Sequence, residues 1–242
     1  MKLDDIKKLH QKKYRSEFGY CLVEGEHLIQ ELQAVYQQQP SLCSTEIYVT
    51  SAYEDWDTPF KKHLITSKQM LAISDTKTPQ GILAVVPISG VQPVGSKTDI
   101  GIYLHEVQDP GNLGTILRSL AWFGGFRCLL APGSVDPFNP KVIRSSMGAV
   151  FHVPIEQDVS IAELSGRYHR IGCLDLSGKG LDSTEFKQCD CYLFGNEARG
   201  IPNELIMDLK TNVFSIPGSG AIDSLNLASA VNICIYERQR RS

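Results

Sequence analysis

From residue 99 onward, short apolar runs of strand length alternate with longer segments of helical period, and no other feature constrains the fold as much. Residues 100–107, 127–131, 169–174, 191–194 and 212–216 read as strands. Residues 113–123, a patch around 139–146, and a final stretch from about 225 into 238 read as helices. A strand that is followed by a helix cannot fold back as a hairpin. The crossover returns the chain to the end it started from, so successive strands run parallel and need helices on both faces. The expected fold class is α/β, with a mostly parallel sheet between helices.

Residues 1–87 alternate too, on a smaller scale. A basic helix leads into an apolar run at 19–23, and a helical pattern continues through Leu28, Ile29, Leu32 and Val35. Strand-like runs follow at 46–50, 63–66 and 81–86, with a helix at 68–74. Glycine, proline and serine then break both periods. The expected domains are a small α/β sandwich over 1–90, a linker over 91–98, and a larger α/β domain over 99–242.

A net charge of −3 argues against a protein that coats nucleic acid generally, so any such contact must be local. Lys2, Lys7, Lys8, Lys12, Lys13 and Arg15 supply a local source, opposed there by Asp4 and Asp5. Ile6 and Leu9 give that helix a buried side, so the same charges also fit an ordinary solvated face. No run approaches the roughly 18–20 apolar residues of a membrane span, and the first residues are charged, which implies the cytoplasm. The seven cysteines are scattered without a C-x-x-C pair and read as reduced core thiols.

Three segments carry polar groups where a buried pattern would not need them. In Asp109-Pro-Gly-Asn-Leu-Gly-Thr-Ile-Leu-Arg118, Asn112 is placed to cap the helix. Arg118 falls off the stripe of Leu113, Ile116, Leu117 and Leu120, beside small residues that leave its fork of donors open. Phe194-Gly-Asn-Glu-Ala-Arg-Gly200 is a glycine-bracketed acidic loop after a strand, in which Gly195 permits close backbone approach. Ile216-Pro217-Gly218 follows another strand, and Asp223 or Ser224 can cap a closing helix that is apolar on nearly every side. Asn226, Ser229 and Asn232 on that helix must find partners. On the residues alone, Arg118 also fits a surface arginine, and Ser229 and Asn232 fit structural hydrogen bonds. His105-Glu106 lacks the second histidine of a zinc motif, Ser177-Gly-Lys-Gly180 lacks P-loop spacing, and no G-x-G-x-x-G follows a strand.

Together these segments resemble the motifs of the SpoU (TrmH-like) branch of the SPOUT RNA methyltransferases, over most of residues 98–240. The resemblance implies transfer of a methyl group from S-adenosylmethionine to a ribose 2′-hydroxyl, leaving S-adenosylhomocysteine, with no metal. It implies a trefoil knot at the binding loops. It assigns catalysis to Arg118, Asn112, Glu197, Ser224 and Asn226, and the cofactor to Gly195, Asn196, Ile216, Leu225 and Asn226. Arg144 and Ser145, in Asn139-Pro-Lys-Val-Ile-Arg-Ser-Ser-Met-Gly148, then join Lys12, Lys13 and Arg15 as expected RNA contacts. It further implies a homodimer in which the final helix packs on its symmetry mate. Departures fall at Leu120, Gly218 and Ala228, none of them among the assigned groups. The segment 13–25 resembles the ribosomal-protein-like domain of rRNA-modifying members. Ribosomal RNA of the large subunit is therefore the expected substrate; tRNA, or a non-catalytic role in ribosome assembly, is the alternative.

Overall fold

The computed structural model describes residues 1–240 except 92, 94, 97, 203, 205, 207, 208 and 210. The chain forms two compact units, one of residues 1–93 with 136–152 and one of residues 94–135 with 153–242. In order come α1 (Leu3–Lys8), α2 (Lys12–Phe18), β1 (Tyr20–Glu24), α3 (Glu26–Tyr36), β2 (Glu46–Val49), β3 (Lys61–Leu64), α4 (Ser67–Ile73), β4 (Ile82–Pro87) and α5 (Ile88–Val91). Next are β5 (Ile100–Leu104), α6 (Pro110–Phe123), β6 (Phe126–Leu130), α7 (Pro140–Ser146), β7 (Ile155–Glu156) and α8 (Leu164–Arg167). The chain closes with β8 (Ile171–Gly180), α9 (Thr184–Lys187), β9 (Cys191–Phe194), β10 (Asn212–Ser215) and α10 (Leu227–Gln239). The expected linker, 91–98, includes residues 92, 94 and 97, which lie outside the described residues.

In the first unit the sheet order is β1-β4-β2-β3, antiparallel except for the β2–β3 pair. Ile6, Leu9, Leu22, Tyr48, Met70, Ile73, Leu83 and Val85 pack into a core on this sheet. Thr66 and Gln69 close a reciprocal capping box that starts α4 where the sequence places it. Strand β3 lies two residues earlier than expected. It is an exposed edge strand led by lysines, whereas the apolar Leu64-Ile65 that drew the reading sits at its end.

The basic N-terminal segment is two helices, and Arg15 corrects an expectation. Its side chain is only 2% exposed, so it is unavailable to RNA. Nη2 lies 2.5 Å and Nε 2.7 Å from Oδ2 of Asp136, while Nη1 donates to the carbonyls of Leu9 (2.8 Å) and His10 (2.9 Å). Residues 136–152 fall inside the stretch expected to form the larger domain, yet they pack in the first unit, with α7 against β1. The buried pair joins that returning segment to α2 and, through Nη1 of Arg15, to the turn between α1 and α2. Breaking a buried pair leaves one charge uncompensated. Asp136→Ala should therefore cost about 3–5 kcal/mol, read as a lowered urea midpoint, and Arg15→Met combined with Asp136→Leu should recover much of the loss.

In the second unit the order is β10-β8-β9-β5-β6-β7, and every pair is parallel, as the alternation requires. Tyr103, Leu129, Cys173, Cys191 and Leu193 form its core with Val159, Leu164 and Ile171. Strand β5 stops at Leu104, earlier than expected, because Glu106 adopts a left-handed backbone (φ 50°) that turns the chain out of the ladder. Strand β8 runs longer than expected. Its pairing with β10 jumps from Val213↔Cys173 to Phe214↔Lys179, so residues 174–178 loop out. A Cβ at Gly178 would lie 2.7 Å from the carbonyl oxygen of Val213, so this glycine of the Ser177–Gly180 segment serves strand packing. Six of the seven cysteines are buried, and burial pushes Cys173 up to about 12 and Cys189 up to about 11. Among the described residues no helix is long and apolar enough to cross a membrane.

Candidate active site

Because the second sheet is parallel, the loops after β5, β9 and β10 all leave from its carboxyl edge, where open α/β sheets bind ligands. After β5 comes α6, whose N-cap is Asp109. Its Oδ1 accepts from the Asn112 backbone N–H (2.8 Å), and Pro110 takes the first helical turn. Asn112, expected to be the cap, is instead inside the helix, and its side-chain amide is left for another partner.

After β9 the chain makes a tight loop. The backbone of Asn196 and that of Gly200 exchange hydrogen bonds (3.1 and 2.9 Å), and the buried Asn196 side chain accepts from the N–H groups of Ala198 (3.0 Å) and Arg199 (3.2 Å). A Cβ at Gly195 would fall 2.5 Å from the carbonyl carbon of Gly200, so glycine is required there by the loop's own closure. The cap of α10 is Asn226, not Asp223 or Ser224. Its Oδ1 accepts from Ala228 (2.9 Å) and Ser229 (3.3 Å).

These three pieces meet. Asn226 Nδ2 donates to Asn112 Oδ1 (2.9 Å), and Asn112 Nδ2 donates to Glu197 Oε1 (3.1 Å). The polarity of the chain has one solution. Helix N–H groups can only donate, so Asn226 must turn its oxygen to them and its amide to Asn112, which must then offer its own amide to the carboxylate. Residues 112, 197 and 226 are thereby linked across 114 positions of sequence.

The other expected site residues are placed differently. Arg118 is exposed on α6, six residues beyond Asn112, and makes no hydrogen bond or ion pair among the described residues. Ser224 and Leu225 are exposed just before α10, and Ile216 is half-buried just after β10. Among the described residues, 216–225 make no backbone–backbone hydrogen bond; the Ala221 N–H donates to Ser219 Oγ (3.4 Å), and other peptide groups lie unspent beside the exposed Ile222 and Leu225 side chains. Of the expected RNA contacts, Lys12 and Lys13 are exposed, with Lys13 Nζ 5.5 Å from the centre of the Tyr14 ring. Arg144 is half-buried and ion-paired with Asp75 (2.8 Å), and the Ser145 hydroxyl donates back to the carbonyls of Lys141 and Val142. No group of three or more metal-type side chains occurs among the described residues.

The profile of the SpoU rRNA methylase family matches residues 99–236, more than half of the chain. The chain belongs to the SpoU family. An MRM3-like substrate-binding domain matches residues 2–84. Among similar proteins is the 23S rRNA (guanosine(2553)-2′-O)-methyltransferase RlmP of Bacillus subtilis, 31% identical over 97% of this chain and 94% of the relative. Among solved structures, a TrmH-family protein from Porphyromonas gingivalis is 29% identical with a TM-score of 0.83, covering 99% of this chain and 97% of its own. An rRNA methyltransferase from Sinorhizobium meliloti, solved with AdoMet bound, is 25% identical with a TM-score of 0.79, over 98% of this chain and 93% of its own. In this SpoU protein the motifs that sequence separates are one hydrogen-bonded unit.

Asp109 was missed as the helix cap although its signal, aspartate directly before proline at a helix start, is in the sequence. Asn226→Asp keeps an oxygen for the α10 cap and removes the donor to Asn112. Whichever way Asn112 then turns, one of its two neighbours loses its hydrogen bond. Methyl transfer should fall about tenfold, equivalent to about 1.4 kcal/mol of transition-state stabilisation, while the thermal midpoint hardly moves. Kinetics and calorimetry on the same variant check both halves.

Proposed function

We propose that this chain is an S-adenosylmethionine-dependent ribose 2′-O-methyltransferase that acts on large-subunit ribosomal RNA in the cytoplasm. The observation that carries the reading is the Asn226–Asn112–Glu197 chain at the carboxyl edge of the parallel sheet. The loops beside it fit an adenosine. Unspent peptide groups of residues 216–225 can read a base edge, and Ile216, Ile222 and Leu225 can cover an aromatic ring. Gly195, Asn196, Leu225 and Asn226 complete the wall assigned to the cofactor, and a trefoil knot at these loops belongs to the same proposal.

When bound, the cofactor supplies a methyl group on a sulfonium, already a good electrophile. The task left to the protein is to place a ribose oxygen in line and make it more nucleophilic. Guanidinium stays protonated in proteins, so Arg118 acts as a donor. It orients the 2′-oxygen and stabilises the charge that grows there as the hydroxyl proton passes to an oxygen of a neighbouring RNA phosphate. Glu197, Asn112 and Asn226 hold the walls of the site in register, and Ser224 lines the reaction side. Lys12 and Lys13 meet phosphates, with Arg144 and Ser145 as further contacts once Asp75 yields its arginine. The match of residues 2–84 to a substrate-binding domain supports placing RNA recognition there.

Mapping ribose methylations in total RNA from cells with and without the chain tests the reading. One large-subunit position should lose its methyl group; loss from a tRNA would reassign the substrate, and an unchanged map would refute the proposal. Arg118→Ala should lower methyl transfer by about 10²–10³-fold, as loss of one oxyanion donor does, with AdoMet affinity unchanged by calorimetry.

We also propose a homodimer. In a single chain α10 is not buried on every side. Leu227, Ala228, Val231, Cys234 and Ile235 face inward, Ile235 at 1% exposure, whereas Ile233 (40%) and Tyr236 (56%) face out. The Tyr236 ring lies edge-on to Phe123, next to Trp122, which is 84% exposed on α6. An apolar patch of this kind asks for cover, and a two-fold contact would use it twice. Arg118 is one turn before Trp122, so each active site would border the seam. Ile233→Glu should convert the dimer to monomers in light scattering and reduce activity with it; a wild-type monomer that is fully active would refute the dimer.

A further inference from the structure

The turn after β5 does more than end a strand. Glu106 holds a left-handed backbone without being glycine (φ 50°), a conformation that is uncommon for such residues and worth explaining. Two groups of Glu106 reach the acidic loop after β9. Its carbonyl accepts from Asn196 Nδ2 (2.8 Å) and from Gln108 Nε2 (3.0 Å), and its carboxylate accepts from Arg199 Nη2 (2.6 Å). Gln108 in turn donates to the Gly133 carbonyl (2.9 Å), which fixes the far side of the same turn.

Glu197 sits between the two points at which Glu106 grips the loop. Asn196, on one side, is buried and spends its remaining acceptor on the N–H groups of Ala198 and Arg199. Arg199, on the other, has a largely exposed side chain that is held by its ion pair with Glu106, in addition to the bond of its backbone N–H to Asn196. With both ends held, the Glu197 carboxylate meets the Asn112 amide at 3.1 Å. Among the described residues no hydrogen bond or ion pair joins Glu106 to Asn112 or Glu197, so its hold on the site runs through the loop.

We propose that Glu106 is a positioning residue for methyl transfer: it clamps the 195–200 loop at Asn196 and Arg199 so that Glu197 faces Asn112. The assignment rests on the methyltransferase reading, and its test has an arm that does not. Glu106→Gln keeps the carbonyl contact and removes the charge that holds Arg199. Hydrogen exchange of a peptide covering 195–200 should become about two- to fivefold faster, the range for an exposed ion pair, with exchange in β5 and β9 unchanged.

For catalysis, kcat should fall by a similar factor while KM for RNA stays fixed. The reversed pair, Glu106→Arg with Arg199→Glu, should restore both exchange and kcat if both chains fold. Unchanged exchange in Glu106→Gln would overturn the clamp. Faster exchange with an unchanged kcat would overturn its role in positioning, as would a folded reversed pair that restores neither readout. A wild-type chain that methylates no ribosomal RNA would sink the proposed function, and the exchange rates would still decide whether Glu106 holds the loop.

Discussion

In the six-stranded sheet every strand bonds its neighbours in the same direction, so β5, β9 and β10 deliver their following loops to one edge. Parallel pairing brings this about whatever the loops contain. Residues 112, 197 and 226 are far apart in sequence, and no local preference could assemble them. The sheet needs only apolar strands and helical crossovers to form, and these are the cheapest features for a sequence to encode.

What the polar loops add is direction. A hydrogen-bonded chain of two amides and a carboxylate could in principle run either way, but one end is fixed to the amino end of α10, where only acceptors are welcome. The helix start thus determines which face of Asn112 meets Glu197, and the carboxylate is held by a donor whose orientation has been set elsewhere in the chain. A single helix cap thereby carries information to a residue on a different loop.

The sheet was legible because burial on both faces leaves near-continuous apolar runs: 191–194 was placed to the residue, and 212–216 to within one. The inward stripe of α10 was legible too, since Leu227, Val231, Cys234 and Ile235 have ordinary helical spacing; reading the helix as apolar all round obscured it. Arg15 could not have been read correctly. Nothing near it distinguishes an arginine bound for water from one bound for Asp136, 121 positions later. The same holds for Arg144 and Asp75. Which of Asp223, Ser224 and Asn226 caps α10 was equally closed to local reasoning, because all three residue types suit a helix start.

The return of residues 136–152 to the first unit has a consequence for how the protein is made. The N-terminal unit gains the partner of Arg15 and the helix that covers β1 only when Asp136 and α7 leave the ribosome, and 42 residues of the other unit come between. At about 5–20 residues per second, synthesis of that insert takes roughly 2 to 8 seconds. During this interval the first unit carries an unpaired arginine and an uncovered strand. Its last structural piece is flanked in sequence by both halves of the second unit, so the N-terminal unit is complete only once residue 152 has been made, with residues 153–242 of its successor still to come.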